Sequence, residues 1–459
     1  MGPHRKRRDI SRVMHDLATY VAGALKRPLP RPVVEKTKHH LVDTLGAMIS
    51  GSRLLPGRRA ISYVRTLQGR KESVVVGTSF LTTAEHAALA NGMLAHADET
   101  DDSHAPSFCH PGCGIVAAAL AMAEREHRSG SDLLGAAALG YDICTRLTMS
   151  LDAKEFRADG HSTHSFGPTF GASAAAGALA GLNYNQVRHL FSYAAQQVSG
   201  VSCWMRDEDH IEKAFDFGGM PARNGVCAAA MVAHGFTGVE DVFSGERNFF
   251  VAYGRAPRPT ELVRELGKTF EITNTNVKRW SVGSPIQAPL DSLLELIRTH
   301  GIAARDVEHV VIRVSHQGAN TVDNRSMPDI CMQHLCAVML LDSIITFKSA
   351  HDVARMQHPQ VLDMRRRVEL MGDDELERAL PSRQAILEIR LKDGRELRHH
   401  TKNVRGTAQN PMSRAEVDEK SYHLIAPVFG KRHARRLLDT IWQIEKIKDV
   451  CRIRHLLQT

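Results

Sequence analysis

The run Gly171-Ala-Ser-Ala-Ala-Ala-Gly-Ala-Leu-Ala-Gly-Leu182 decides the fold. Small residues stand on nearly every face, so a helix built from it approaches its neighbours closely and is expected to be buried. The helical period spreads outward from it. Apolar residues recur at three- and four-residue spacing over Val34 to Ile49, Ala84 to His96, Gly114 to Glu126 and Ser131 to Leu151. Asn224 precedes a further Ala-rich stretch that closes near Gly235 and is the candidate cap of that helix. Aromatics make up only 5% of the 459 residues, which fits packed helices better than a β-sandwich.

The texture changes after about residue 270. Glu308 to His316 alternates like a half-buried strand, and Ala385 to Thr401 holds two alternating runs joined by Asp393-Gly394, a hairpin signal. Helical stretches at Pro289 to Thr299 and His334 to Phe347 accompany them, and helix returns over Arg414 to Lys420 and Lys431 to Ile447. The expected fold is therefore mainly α. A large all-helical domain (9–271 plus 407–459) is formed by both chain ends, with a smaller α+β lid domain inserted at 272–406, and residues 1–8 form a basic disordered tail.

Composition narrows the function. The net charge of +8 invites a nucleic-acid reading, but Arg5, Lys6, Arg7 and Arg8 supply half of it and no basic stripe interleaved with aromatics follows. No apolar run reaches the roughly 18 to 20 residues of a membrane helix. No apolar stretch of secretory type follows the basic start, so a cytoplasmic protein with neither a nucleic-acid nor a membrane partner is expected. The eight cysteines lack any C-x-x-C spacing, which removes support for zinc ribbons and redox motifs.

Three segments could carry chemistry. In His96-Ala-Asp-Glu99-Thr-Asp101-Asp102-Ser-His104-Ala-Pro-Ser-Phe-Cys-His110, four carboxylates and three histidines share one loop, enough for a base, an acid and their orienters or for a metal. Gly160-His161-Ser-Thr163-His164-Ser-Phe-Gly167 leads into the small-residue helix, where hydroxyls, imidazoles and free N–H groups suit an anion. In His210-Ile-Glu-Lys213-Ala-Phe-Asp-Phe-Gly218-Gly219-Met-Pro-Ala-Arg223, Lys213 offers a point charge and the glycines allow close approach. Cys109 beside His110 reads as a small residue in a tight loop rather than a nucleophile, since no orienting partner is evident.

Taken in order, these pieces resemble the MmgE/PrpD family, which includes 2-methylcitrate dehydratase and cis-aconitate decarboxylase. The likeness runs from His40-Leu-Val-Asp43 and Asn91-Gly-Met-Leu-Ala-His96 through Glu99-Thr-Asp101-Asp102, His110-Pro-Gly, His161-Ser-Thr and Lys213 with Gly218. It continues to Lys278-Arg-Trp280, Leu341-Asp342 and Asn410-Pro-Met-Ser413. The resemblance implies a helical domain with an inserted lid, an active site between them and a homodimer. It places Glu99 on the first acid of an Asp-Phe-Asp-Asp motif and His110, His161 and Lys213 on the family's His, His and Lys. It places Gln287 where the decarboxylases have His, and His334 close to their Tyr.

On this reading the chain is a cofactor-free lyase, a dehydratase or decarboxylase, acting on a small di- or tricarboxylate, with no metal. Glu99, His110, His161, Lys213 and His334 are the candidate catalytic residues, His161 or His334 handling the carbon-bound proton. Asp101, His104, Arg223, Lys278 and Gln287 are the candidate substrate contacts. Gln cannot change protonation state near neutral pH, which moves any proton transfer at position 287 elsewhere. Rival readings are an epimerase or isomerase using the same site, a metal hydrolase built on His96, Asp101, Asp102 and His110, and a protein that only binds.

Overall fold

The structure is a computed structural model that describes residues 10–459, and the basic tail read at 1–8 lies outside the described residues. The small-residue run sits in helix Thr163–Leu179, every residue of which is buried. Helices Pro111–Arg125, Gly130–Ser150 and Met220–Ala233 surround it. Glycine makes this contact possible. A Cβ on Gly171 would stand 2.5 Å from the carbonyl oxygen of Gly140, so the two backbones touch directly.

Most helices follow the sequence period: Arg31–Gly51, Ala84–Ala95, Pro111–Arg125 and Gly130–Ser150. Three readings need correction. The segment read as a loop up to Gly171 is helical from Thr163, and Pro168 lies inside the helix, where burial on all sides overrides the usual break. Asn224 is not a cap. It is internal to Met220–Ala233, its amide donating to the Gln197 carbonyl at 2.9 Å, because the chain is already helical from Ile211 through a π-helical turn at Phe215–Gly219. The helix beginning at Met332 stops at Asp342 rather than Phe347, ended by Ser343 in the left-handed region.

A four-stranded sheet occupies the later part of the chain, in the order Val368–Gly372, Val307–Val314, Ala385–Leu391, Glu396–Thr401. The first pair is parallel and the others antiparallel, with Val310 opposite Ile389 and Leu387 opposite His399. Helices Gln287–His300 and Met332–Asp342 pack with the sheet, and Trp280, Leu293, Val310, Leu335 and Leu387 share its core. A separate, larger core holds the helices up to Val277, and the last helices return to it: Arg414–Phe429 lies on Arg31–Gly51. The two crossings between the cores run side by side, Val277 donating its N–H to Gly406 O at 3.1 Å. Among the described residues no helix is long and apolar enough to cross a membrane.

Candidate active site

A cavity of about 630 Å³ opens between the two cores, with walls drawn from both. Helix Ala84–Ala95 leads into one wall, which the segment from Glu99 to His110 forms. The helix meets the π-helical turn after Lys213 so closely that a Cβ on Gly92 would stand 2.3 Å from Gly218 O. The extra residue of a π turn re-aims side chains, and here it brings Lys213 and Phe217 to the cavity.

The acidic string after that helix splits into four separate assignments. Asp98 forms an ion pair with His351 at 2.9 Å and accepts from the Thr100 N–H. Glu99 lies between Lys213, bonded to one carboxylate oxygen, and Lys278, 3.4 Å from the other and 2.7 Å from the Glu99 carbonyl. Asp101, fully buried, receives His96 Nδ1 at 2.9 Å and His110 Nδ1 at 3.1 Å on one oxygen. Asp102 turns away from the cavity and accepts from His40 at 2.7 Å, Tyr141 at 2.5 Å and the Gly112 N–H at 2.9 Å, tying the loop to helix Pro111–Arg125.

This geometry sets the charges. Burial by itself would raise Asp101 and Glu99. The two imidazoles bonded to Asp101, and the two ammonium groups around Glu99, outweigh it and hold both carboxyls well below their ordinary range. Burial and the Lys278 charge push His110 down to about 4, against the pull of Asp101. His110 is thus neutral at pH 7. Because Nδ1 is bonded to Asp101, Nε2 is the nitrogen left to accept a proton from a ligand.

The structure gathers Glu99, His104, His110, Lys213, Lys278 and Gln287 on the cavity wall, with Asp101 directly behind His110. His104 is held by Ser107 at 2.8 Å and faces Glu271 at 3.4 Å. Gln287 lines the cavity, yet its amide is taken up by the backbone: it accepts from Trp280 N at 3.1 Å and donates to Trp280 O and Val282 O at 2.9 and 3.0 Å. It clamps a loop rather than offering a free group.

Three sequence candidates lie elsewhere. His161 precedes the helix in an isolated bridge with Val201, which turns its ring onto Phe156 at 4.5 Å and away from the cavity. His164, the second residue of the helix, lines the cavity in its place, stacked on Phe217 at 3.7 Å. Arg223 sits past the π turn, its guanidinium donating to Asn224 Oδ1 at 3.0 Å and lying over the Phe215 ring. His334 is fully buried within the sheet core, both ring nitrogens without a hydrogen-bond partner among the described residues, and burial lowers it to about 4. Residues of the cavity that the sequence reading passed over include His164, Arg157, Arg325 and Arg383. Of these, His164 stood inside a quoted segment, while the arginines carry no motif.

Among the described residues, His96, Glu99 and His210 bring possible metal-ligand atoms within 4.8 Å of one another. The donor set is a poor fit for a cation, because both Glu99 oxygens already face ammonium groups. The set His96, Asp101, Asp102 and His110 does not converge either, since Asp102 belongs to the His40 side.

Comparison with known proteins agrees with this picture. Residues 15–262 match the MmgE/PrpD N-terminal domain and residues 280–446 the MmgE/PrpD C-terminal domain. The chain is 24% identical over 468 aligned residues to the cis-aconitate decarboxylase of Homo sapiens, covering 97% of this chain and 94% of that protein. It is 26% identical over 308 residues to the cis-aconitate decarboxylase-like protein oryM of Aspergillus oryzae, a match that spans 63% of this chain and 62% of the relative. With both halves matched in order across the cavity that divides them, the chain belongs to the MmgE/PrpD family.

Proposed function

We propose that the protein is a cofactor-free lyase, a dehydratase or decarboxylase, acting on a small di- or tricarboxylate. The observation that carries this reading is the Asp101–His110 pair: a neutral imidazole, oriented through Nδ1, on a cavity wall that also holds Lys213 and Lys278. Removing a proton next to a carboxylate builds up negative charge on that carboxylate. Ammonium groups fixed at the site stabilise the charge without reorganising. In dehydration, His110 Nε2 takes the carbon-bound proton, the C–O electrons leave with the hydroxyl, and a double bond forms. In decarboxylation, the C–C electrons stay on the substrate carbon as CO₂ departs, and the protonated imidazole returns a proton there. A bound polycarboxylate raises His110 toward that protonated form.

The segment 272–406 serves in this reading as the lid over the helical body. The epimerase alternative draws less support. His110 and His164 lie side by side, with ring centroids 5.3 Å apart, so this pair of imidazoles does not flank a substrate carbon from opposite faces. Proton NMR of the purified protein in D₂O, with di- and tricarboxylates including 2-methylcitrate and cis-aconitate, tests the assignment. Loss of substrate signal with growth of an unsaturated product is expected. Solvent deuterium entering the substrate without elimination would move the assignment to an epimerase, and no change across the panel would remove it.

A further inference from the structure

We propose that Arg157 and Arg383, one from each side of the cavity, form a two-armed clamp for a carboxylate of the ligand and set its affinity. The inference rests on the carboxylate reading above and deepens it by naming which cations do the binding. The cations on the wall differ in the partners that hold them before a ligand binds. Lys213 and Lys278 are engaged by Glu99, and Arg405 by Glu416 and Asn410. Arg157, Arg325, Arg383 and Lys402 line the same cavity, and among the described residues none of the four has a side-chain hydrogen bond or ion pair; Arg157 and Arg383 are the pair that faces the cavity from its two sides with their charges acting on each other.

Each arm is nevertheless held in place. Arg157 belongs to the short helix Ala153–Ala158 of the helical body, and its guanidinium carbon lies 4.8 Å over the Phe108 ring. Phe108 itself has φ +49°, a left-handed conformation costly for a bulky residue. Stacking fixes the plane of a guanidinium while leaving its five N–H donors free. Arg383 stands two residues before strand Ala385–Leu391, on the sheet side of the cavity. Burial, with the charge of Arg157 next, lowers Arg383 to about 10, so it stays charged at neutral pH while repelled by its counterpart. Two unneutralised guanidiniums facing one cavity are relieved by a planar anion that accepts paired N–H bonds, and a carboxylate is that group. An anion held by both arms also joins the two sides of the cavity.

The test is calorimetric titration of the full chain with propane-1,2,3-tricarboxylate, which has neither a leaving hydroxyl nor a double bond. The wild type, Arg157→Met, Arg383→Met and their double variant are compared. Each single change is expected to weaken binding at least tenfold, the range for losing hydrogen bonds to a charged group. The double variant should fall short of the product of the two losses, because both arms hold one carboxylate. Arg383→Lys, which keeps the charge but not the fork, should still lose at least threefold, and thermal unfolding of all variants should stay close to wild type. In turnover, KM should rise with kcat within about threefold. Affinity unchanged within twofold in either Met variant, or no binding by the wild type, overturns the clamp. Turnover of a carboxylate with KM unaffected by these changes would remove the clamp and leave the lyase. Arginine-dependent binding without turnover of any substrate would keep the clamp and remove the lyase.

Discussion

Across one cavity, the segment from His96 to His110 pairs each acid with partners of its own, whereas Arg157 and Arg383 have none among the described residues. On the first wall the partners fix tautomers and charges before any ligand arrives. Asp101 holds His110 in one tautomer, and Lys213 and Lys278 hold Glu99 ionised. Groups arranged that way suit chemistry, which gains from dipoles that need not reorganise. At the two arginines, one on each side of the cavity, charge is left unsatisfied, and what completes it is a ligand. Acids that each have partners and arginines that lack them, in the same cavity, thus mark different tasks, and substitutions in the two sets should fail differently.

Among the residues that support His110, the largest departure should come from Asp101. Asp101→Asn removes the charge that supports the His110 imidazole, so kcat should fall at least tenfold while KM changes little, and steady-state kinetics checks it. A rise in KM with kcat unchanged would make that segment a binding surface like the arginine pair. Next is the acid limb of the rate. Since His110 lies at about 4 in the free protein, kcat/KM for proton removal should hold as pH falls through 6.5, the ordinary histidine value, and drop only near 4. A limb at 6.5 would mean that Asp101 and burial leave His110 unshifted.

A smaller effect tests the paired side for stability. His351 is raised to about 9, burial opposing and the bonded Asp98 prevailing. A raised histidine stabilises the fold fully below its unfolded value near 6.5 and loses that contribution as pH rises through about 9. The gap in melting temperature between wild type and His351→Gln should therefore be widest below pH 6.5 and close above pH 9. A gap constant with pH would show that the charge of His351 contributes nothing. The smallest effect is expected at His161, which faces Phe156 and not the cavity: His161→Ala should keep kcat within about threefold. A loss of about 10² or more would restore it to the chemistry.

Much of this was legible before any coordinates. Amphipathic and small-residue periods located the helices, and Asp393-Gly394 located the hairpin, because both signals are local. Glu99, His110 and Lys213 stand in dense polar segments and Lys278 in a piece that carries the resemblance, and all four line the cavity. What escaped depended on direction. His161 and His164 are three residues apart, and the helix start at Thr163 alone decides which one faces the cavity. Gln287 occupies the expected wall, but nothing in its neighbours shows that the backbone at Trp280 and Val282 claims its amide. His334 sits on an apolar helix whose every face is covered, so its position in the chain did not disclose that it misses the cavity. Arg157 and Arg383 are isolated in sequence and meet only through the fold.

The most direct test of the central claim compares the wild type with His110→Asn by proton NMR in D₂O on whichever carboxylate the wild type converts, with binding measured in parallel. Asn retains a polar side chain at that position but cannot accept the substrate proton at neutral pH. The account predicts a fall in rate of 10² or more with affinity for propane-1,2,3-tricarboxylate held within a few fold. A variant that keeps its rate, or that loses binding in proportion to rate, would contradict the assignment of His110 as the group that moves the proton.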